Sequence, residues 1–385
     1  SSKPVPILLD CKRAMTNLKK LALKLPYYIE VSPFFYELKV LLSTHPTVES
    51  VILDYEGTEL SEKDQQMMLQ GLGSLNVLKC LQTGYNWCTI SPLKGLGNIL
   101  ENRNYDLKRF DFSLIDSQIA PETLSLILNH FASKTSLKYL TMAILNCPAF
   151  GQKQFELFSL TLPGLRDLEN LTLRLAPTWE ISKTARLSLY SELDSLTNLT
   201  SLTLELKPIL GNMNDYDLEA LSSTLQNLGQ LQYLALSFDS NYDISDQGCQ
   251  SLFKDISKLT NLRTFIIVIE RKSLVTDETA KALGDCLCSL VLLKVLSIRI
   301  FKCWLTNESF KELGRGLRHL SQLETLTLKL TNNKLDDTGL IYLRSLLSEQ
   351  KQLRELNLAI PIFTKESGIQ AMVEGLSSLK SIRIL

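Results

Sequence analysis

"LTNLTSLTLEL", residues 196–206, places leucine at 196, 199, 202, 204 and 206. The interval between leucines is three at first and two afterwards. A three-residue interval belongs to one face of a helix, and a two-residue interval to a strand with one buried side. The stretch therefore predicts a junction at which a helix hands over to a strand.

The junction recurs as "LGQLQYLALSF" (228–238), "LTNLRTFIIVI" (259–269), "LVLLKVLSIRI" (290–300) and "LSQLETLTLKL" (320–330). Taking Leu199 as an anchor, the equivalent positions are Leu18, Val48, Leu78, Leu107, Leu137, Leu168, Leu199, Leu231, Leu262, Leu293, Leu323, Leu353 and Leu379. Successive anchors lie 29 to 32 residues apart, except the last pair at 26. A fixed period of this size marks a repeat protein. In each unit the residues three, five and seven after the anchor are apolar, which predicts a short strand with one buried face. About twelve residues after the anchor comes a further apolar slot, filled by Leu60, Ile90, Ile119, Ile181, Ile244, Leu274, Leu305 and Leu335. Capping residues such as Ser61, Ser245, Thr276 and Asp336 follow, and then apolar residues at helical spacing, as in Leu218, Leu221, Leu225 and Leu228.

A strand and a helix in about 30 residues cannot bury their own apolar faces, whereas stacked copies can. The expected architecture is α/β: one continuous curved solenoid over 1–385 with about thirteen repeats. Parallel strands line the concave face and helices the convex one, and every strand but the last is followed by a helix. Residues 1–13, with "PVPILLD" at 4–10, form a candidate partial N-terminal cap, and no C-terminal cap is visible around the closing "SIRIL".

The recurring LxxLxLxL pattern resembles the leucine-rich-repeat family, in particular its ribonuclease-inhibitor-like long-repeat branch, across essentially the whole chain. The resemblance implies a horseshoe that binds protein partners through its concave sheet, its rims or its ends, as a non-enzymatic scaffold or adaptor without a cofactor. It also leaves an alternative, because one branch of the family acts as GTPase-activating proteins through rim residues and carries a long acidic tail. The chain departs from the family at the asparagine or cysteine column expected after the strand, which only "TNNKL" at 331–335 echoes.

Composition narrows the function further. Hydrophobic residues make up 45% of the 385, and Lys+Arg and Asp+Glu are both 41, so the formal net charge is zero. A neutral chain lacks the bulk attraction that holds nucleic acid or an anionic membrane surface. No apolar run approaches the ~18 residues of a membrane span. Eight cysteines form no CxxC, and with three histidines they give no zinc spacing. Free buried thiols fit a reducing, cytoplasmic compartment. Phosphate-loop, HExxH and GxSxG motifs are absent. His45, His130 and His319 fall in different repeats, which predicts structural roles.

Candidate protein-binding residues come from positions that break the repeat pattern. Trp87, Trp179 and Trp304 sit in strand-to-helix loops, and each is followed by a residue that already fills the core slot (Ile90, Ile181, Leu305). Each tryptophan is thus expected toward a rim, either as an interface anchor or packed sideways over the neighbouring loop. Ile266 and Val268 place two apolar residues on the outward side of one strand, flanked by Glu205, Arg299 and Lys329. They read either as an apolar contact point or as strand-forming residues chosen for their branched side chains. At the C-terminal edge, Ile384 and Leu385 are expected to be covered by a partner or by further chain.

Overall fold

In the computed structural model the residues 201–206 form the strand Ser201–Leu206, with Leu202 and Leu204 fully buried and Thr203 and Glu205 half-buried. The alternation of the sequence is thus the alternation of the two faces. The structure describes residues 17–25, 31–90, 106–131, 136–177, 180–206, 213–239, 243–270, 274–359 and 365–384. The expected N-terminal cap (1–13) and the expected helix of the third repeat (within 91–105) lie outside them.

The chain packs as two compact units, Ser1–Ala185 and Arg186–Leu385. In the first, the strands Lys20–Leu25, Ser50–Glu56, Cys80–Asn86, Arg109–Ile115, Tyr139–Cys147 and Asn170–Pro177 pair in parallel in chain order. In the second, Ser201–Leu206, Tyr233–Asp239, Thr264–Glu270, Val295–Phe301, Thr325–Lys329 and Glu355–Ala359 do the same. Among the described residues helices alternate with the strands of the main sheet, except between Cys80–Asn86 and Arg109–Ile115, where 91–105 lie outside them, and this is the arrangement of an α/β solenoid.

The register follows the anchors. Thr203 pairs with Ala235, Ala235 with Ile266, Ile266 with Ser297, Ser297 with Thr327, and Thr327 with Asn357. Twelve of the thirteen anchors, Val48 to Leu379, are buried, and Leu18 at the start is half-buried. The inward strand residues and the helix leucines meet in one apolar layer: Leu204, Leu236, Ile267, Ile298 and Leu328 are at most 1% exposed, as are Leu221, Leu252, Leu283, Leu313 and Leu343. Burial of a leucine of this kind contributes roughly 1.5–3 kcal/mol.

Two expectations need correction. The thirteenth strand is reduced to an isolated bridge between Glu355 and Ile384, so the main sheet of the described residues holds twelve strands, and Glu59–Leu60 and Thr89–Ile90 pair as a separate two-stranded sheet. The Ile384 carbonyl accepts from the N–H of Leu356 at 3.0 Å, but pairing does not extend along the chain. The apolar slot of the Leu262 repeat is filled by Val275, which is fully buried, whereas Leu274 is 60% exposed. The loops after Leu168 and Leu231 also reach their slots, Ile181 and Ile244, thirteen residues on. One extra loop residue shifts the inward position by one.

Each cap also joins neighbouring repeats. Ser245, Thr276 and Asp336 accept from backbone N–H groups in the first turns of their own helices, at 3.2, 3.3 and 2.8 Å. The aspartate that opens the preceding helix then reaches across. Asp215 accepts from the N–H and hydroxyl of Ser245, Asp246 from those of Thr276, and Asp277 from those of Thr306, at 2.5–2.9 Å. Carboxylates at helix N-termini also meet the positive end of the helix dipole. In the first unit Gln152 bridges to Ser182 with one bond reversed: its Oε1 accepts from the Ser182 N–H and its Nε2 donates to the Ser182 Oγ, both at 2.8 Å.

Candidate interaction surfaces

Six of the loops that follow strands share a conformation that decides which side chains face outward. Nine residues after the anchor the backbone turns left-handed: Gly57 (φ 60°), Trp87 (53°), Asp116 (50°), Asn146 (54°), Lys302 (55°) and Asn332 (60°). This turn lets the amide bond to the next repeat: Gly57 N–H donates to Asn86 O at 2.8 Å, Trp87 to Ile115 O at 2.9 Å and Asp116 to Leu145 O at 2.9 Å. Glycine adopts the conformation freely and Asn or Asp tolerate it, but a bulky aromatic does not.

The following residue turns inward, and here the expected asparagine or cysteine column is present after all, with cysteine or asparagine at four of six positions. Its members are Thr58, Cys88, Ser117, Cys147, Cys303 and Asn333, all buried except Asn333, which is half-buried. Asn333 Oδ1 accepts from the N–H groups of Cys303 and Leu305 at 3.1 and 3.4 Å, and its Nδ2 donates to the carbonyls of Ile300 and Leu330 at 2.8 and 3.0 Å. Ser117 Oγ accepts from Cys88 N–H at 3.0 Å and lies 2.9 Å from the carbonyls of Tyr85 and Ile115, to which it can donate. Cys88 and Cys303 direct their thiols at the carbonyls of Asn86 and Phe301, both at 3.3 Å. Several side chains do the work of one, because the position needs only small size and a bond to the local backbone.

The loop therefore alternates out, in, out, in, and the tryptophans occupy outward steps. Trp87 is 59% exposed and Trp304 is 51% exposed, while Ile90 and Leu305 fill the core beneath them. Trp304 is covered on one face by Lys334, whose Nζ lies 4.3 Å from the ring centroid. The backbone N–H of Trp304 donates to Val275 O at 2.9 Å, so the loop carrying exposed Leu274 is its direct neighbour. Trp179 lies outside the described residues. The two described tryptophans belong to different units.

Ile266 and Val268 are half-buried on the face of the sheet away from the helices. Val268 is paired in register with Ser237 on one side and Arg299 on the other. Ile384 is 60% exposed, and Leu385 lies outside the described residues.

Burial pushes the thiols of Cys88, Cys147, Cys249 and Cys286 up, away from the thiolate form that a nucleophile or metal ligand needs. His45 is buried with Nδ1 2.9 Å from Leu41 O, and His319 Nδ1 lies 3.2 Å from Arg315 O. No group of three or more metal-ligating side chains occurs among the described residues, and no described helix is long and apolar enough to cross a membrane.

No protein-family model matches the chain, and no curated protein matches it by sequence. Solved structures do. One of 129 similar chains comes from the crystal structure of the Rad7 and Elc1 complex in yeast: it aligns over 98% of this chain and 82% of its own length, with a TM-score of 0.52 at 17% identity. The fold is a leucine-rich-repeat solenoid. At 17% identity the likeness speaks for the fold alone.

Proposed function

We propose that the chain is a non-enzymatic scaffold of the ribonuclease-inhibitor-like long-repeat type, which binds a protein partner as one subunit of a larger assembly. The observation that carries this reading is Trp87: an exposed aromatic, held in a backbone conformation that costs about 1–3 kcal/mol for a non-glycine residue, above a core slot that Ile90 already fills. Neither packing nor backbone preference explains a tryptophan there, whereas an interface anchor does. Exposed Trp304 with Leu274, and half-buried Ile266 with Val268, add two apolar groups in the second unit. The yeast neighbour comes from a two-protein complex, which fits the same reading. Seven cysteines among the described residues are in no disulfide, which fits a reducing cytoplasmic setting.

Capture from native extract, quantified by mass spectrometry, tests the proposal with the wild-type chain and with Trp87→Gly and Trp304→Ala as baits. Loss of the same partner from one or both variants, with thermal unfolding unchanged or improved for Trp87→Gly, supports it. Identical capture by all three baits overturns the assignment of the loops, and absence of any retained partner overturns the scaffold reading.

A further inference from the structure

Most bases along the strand ladders are neutralised in a regular way. At the strand entries Lys19 and Lys79 share Glu49 at 3.2 and 2.9 Å, and Lys294 and Arg354 share Glu324 at 3.3 and 2.9 Å. Lys138 pairs with Glu169. The strand exits of Val295–Phe301 and Thr325–Lys329 differ. Arg299 and Lys329 are register partners on the same face of adjacent strands, about 4.8 Å apart. Lys302 and Lys334 follow in the two loops. Among the described residues none of these four has a carboxylate within 4.0 Å. Arg299 Nε donates to Ser297 Oγ at 3.3 Å, and Lys334 lies over the Trp304 ring. The nearby acids are engaged elsewhere: Asp336 with the Thr338 N–H and Asn307, Asp337 with the Lys365 N–H, and Glu308 with Lys311. Glu270, opposite Phe301 at the strand end, borders the group.

Like charges directly opposite each other on neighbouring strands repel. Apolar side chains adjoin this pair: Val268 is the register partner of Arg299, and Ile266 is that of the small, buried Ser297. Exposed Trp304 and Leu274 stand at the loop edge. We propose that this end of the sheet is the docking surface for an acidic peptide segment of a protein partner, with carboxylates between Arg299 and Lys329 and a large apolar side chain beside Val268 and Trp304. The inference rests on the scaffold reading above and names the partner's chemistry. A nucleic-acid strand fits less well, because a phosphate track needs cations repeated along its length. In the same column the flanking strands bring Glu205 and Ser237 on one side and Ala359 on the other.

A random-peptide display library selected on the full chain and on the Arg299→Glu/Lys329→Glu double variant tests this. The wild-type selection should return peptides with Asp or Glu beside Leu, Phe or Trp. A fluorescent copy of one such peptide should bind roughly tenfold or more weakly to the double variant and lose affinity with Trp304→Ala. The single variant Arg299→Glu places opposite charges in register, so its thermal midpoint should hold or rise while binding falls, which separates lost docking from lost folding. Selection without acidic enrichment, or full binding by the double variant, overturns the proposal. So does a labelled single-stranded oligonucleotide that binds the wild-type chain more tightly than the acidic peptides and is released by the same substitutions. Native partners captured equally by wild type and double variant would sink this surface and leave the scaffold reading standing. Capture of no partner by either would sink the scaffold reading.

Discussion

A Cβ placed on Gly316 would overlap the carbonyl oxygen of Gly284 and come within 2.9 Å of its Cα. Gly284 has the same relation to the next helix, since its own Cβ would overlap Glu312 O. The helices Asp277–Ser289 and Glu308–Leu317 thus approach backbone to backbone, which only residues without a side chain permit. The two glycines are there for proximity and not for conformational freedom.

Gly316→Ala should therefore destabilise the second unit by about 1–3 kcal/mol, although alanine is the better helix former. Gly229, whose surroundings are open, is the control position, and Gly229→Ala should change stability much less. Denaturant unfolding of the two variants decides it. Equal effects would mean that the helices are farther apart than described.

The strand register gives a second contrast. Leu204 is fully buried and Thr203 half-buried on the opposite face. Leu204→Ala should cost ~2–5 kcal/mol and Thr203→Ala under about 0.5 kcal/mol. Similar losses at both positions would place the faces wrongly.

The sheet was legible because its signal is periodic. Leucines at intervals of two determine which side of each strand is inward, and a thirty-residue period fixes which strands are neighbours. The loops were not legible in the same way. Cys88, Cys147, Cys303 and Asn333 carry the expected cysteine or asparagine ten residues after their anchors, but Thr58 and Ser117 interrupt the column, so it was read as missing. Leu274 and Val275 are both apolar, and only the length of the loop decides which one faces the core. Trp87 and Trp304 were legible as outward residues because Ile90 and Leu305 follow them. The unneutralised bases were half-legible: Arg299 and Lys329 fall in one outward column of the sequence, but their isolation shows only when Glu49 and Glu324 are seen to neutralise the other bases.

The aspartates that open the helices should be worth more than ordinary surface residues. Asp246 accepts from the N–H and hydroxyl of Thr276 at 2.9 and 2.7 Å and from those of Thr279 at 3.1 and 2.5 Å. Asp246→Ala removes the acceptor from all four donors and should cost roughly 1–3 kcal/mol. Combined with Thr276→Ala, the loss should be smaller than the sum of the two single losses, because the same bonds are removed twice. A double-mutant cycle by chemical denaturation measures this, and strict additivity would contradict it.

Acid should weaken one cap in a predictable direction. The Thr338 N–H, first of all, and Asn307 hold the Asp336 carboxyl below the usual carboxylate range. A group with a lowered folded pKa contributes stability above its unfolded value, about 3.9, and loses it as the pH falls through the folded value. Asparagine also caps helices but carries no titrating proton. The stability of Asp336→Asn should consequently fall less steeply than that of wild type as the pH drops below about 4. Parallel curves for the two proteins would remove Asp336 as a contributor.

Trp87 and Gly57 occupy the same position of successive loops, with φ of 53° and 60°. Each donates its N–H to the next repeat, so the backbone requirement is shared and only the side chain differs. Gly57→Ala puts a Cβ into the left-handed region and should destabilise the fold by about 1 kcal/mol. Trp87→Gly relieves the same conflict. Because the tryptophan is 59% exposed, the contacts that it loses are few, and the net effect should be a gain of about 1 kcal/mol. Trp87→Ala keeps a Cβ and should gain less. Thermal and denaturant unfolding of the three variants gives their order. A Trp87→Gly protein that is less stable than wild type would show that the indole supports the fold, and the case for Trp87 as an interface anchor would fail with it.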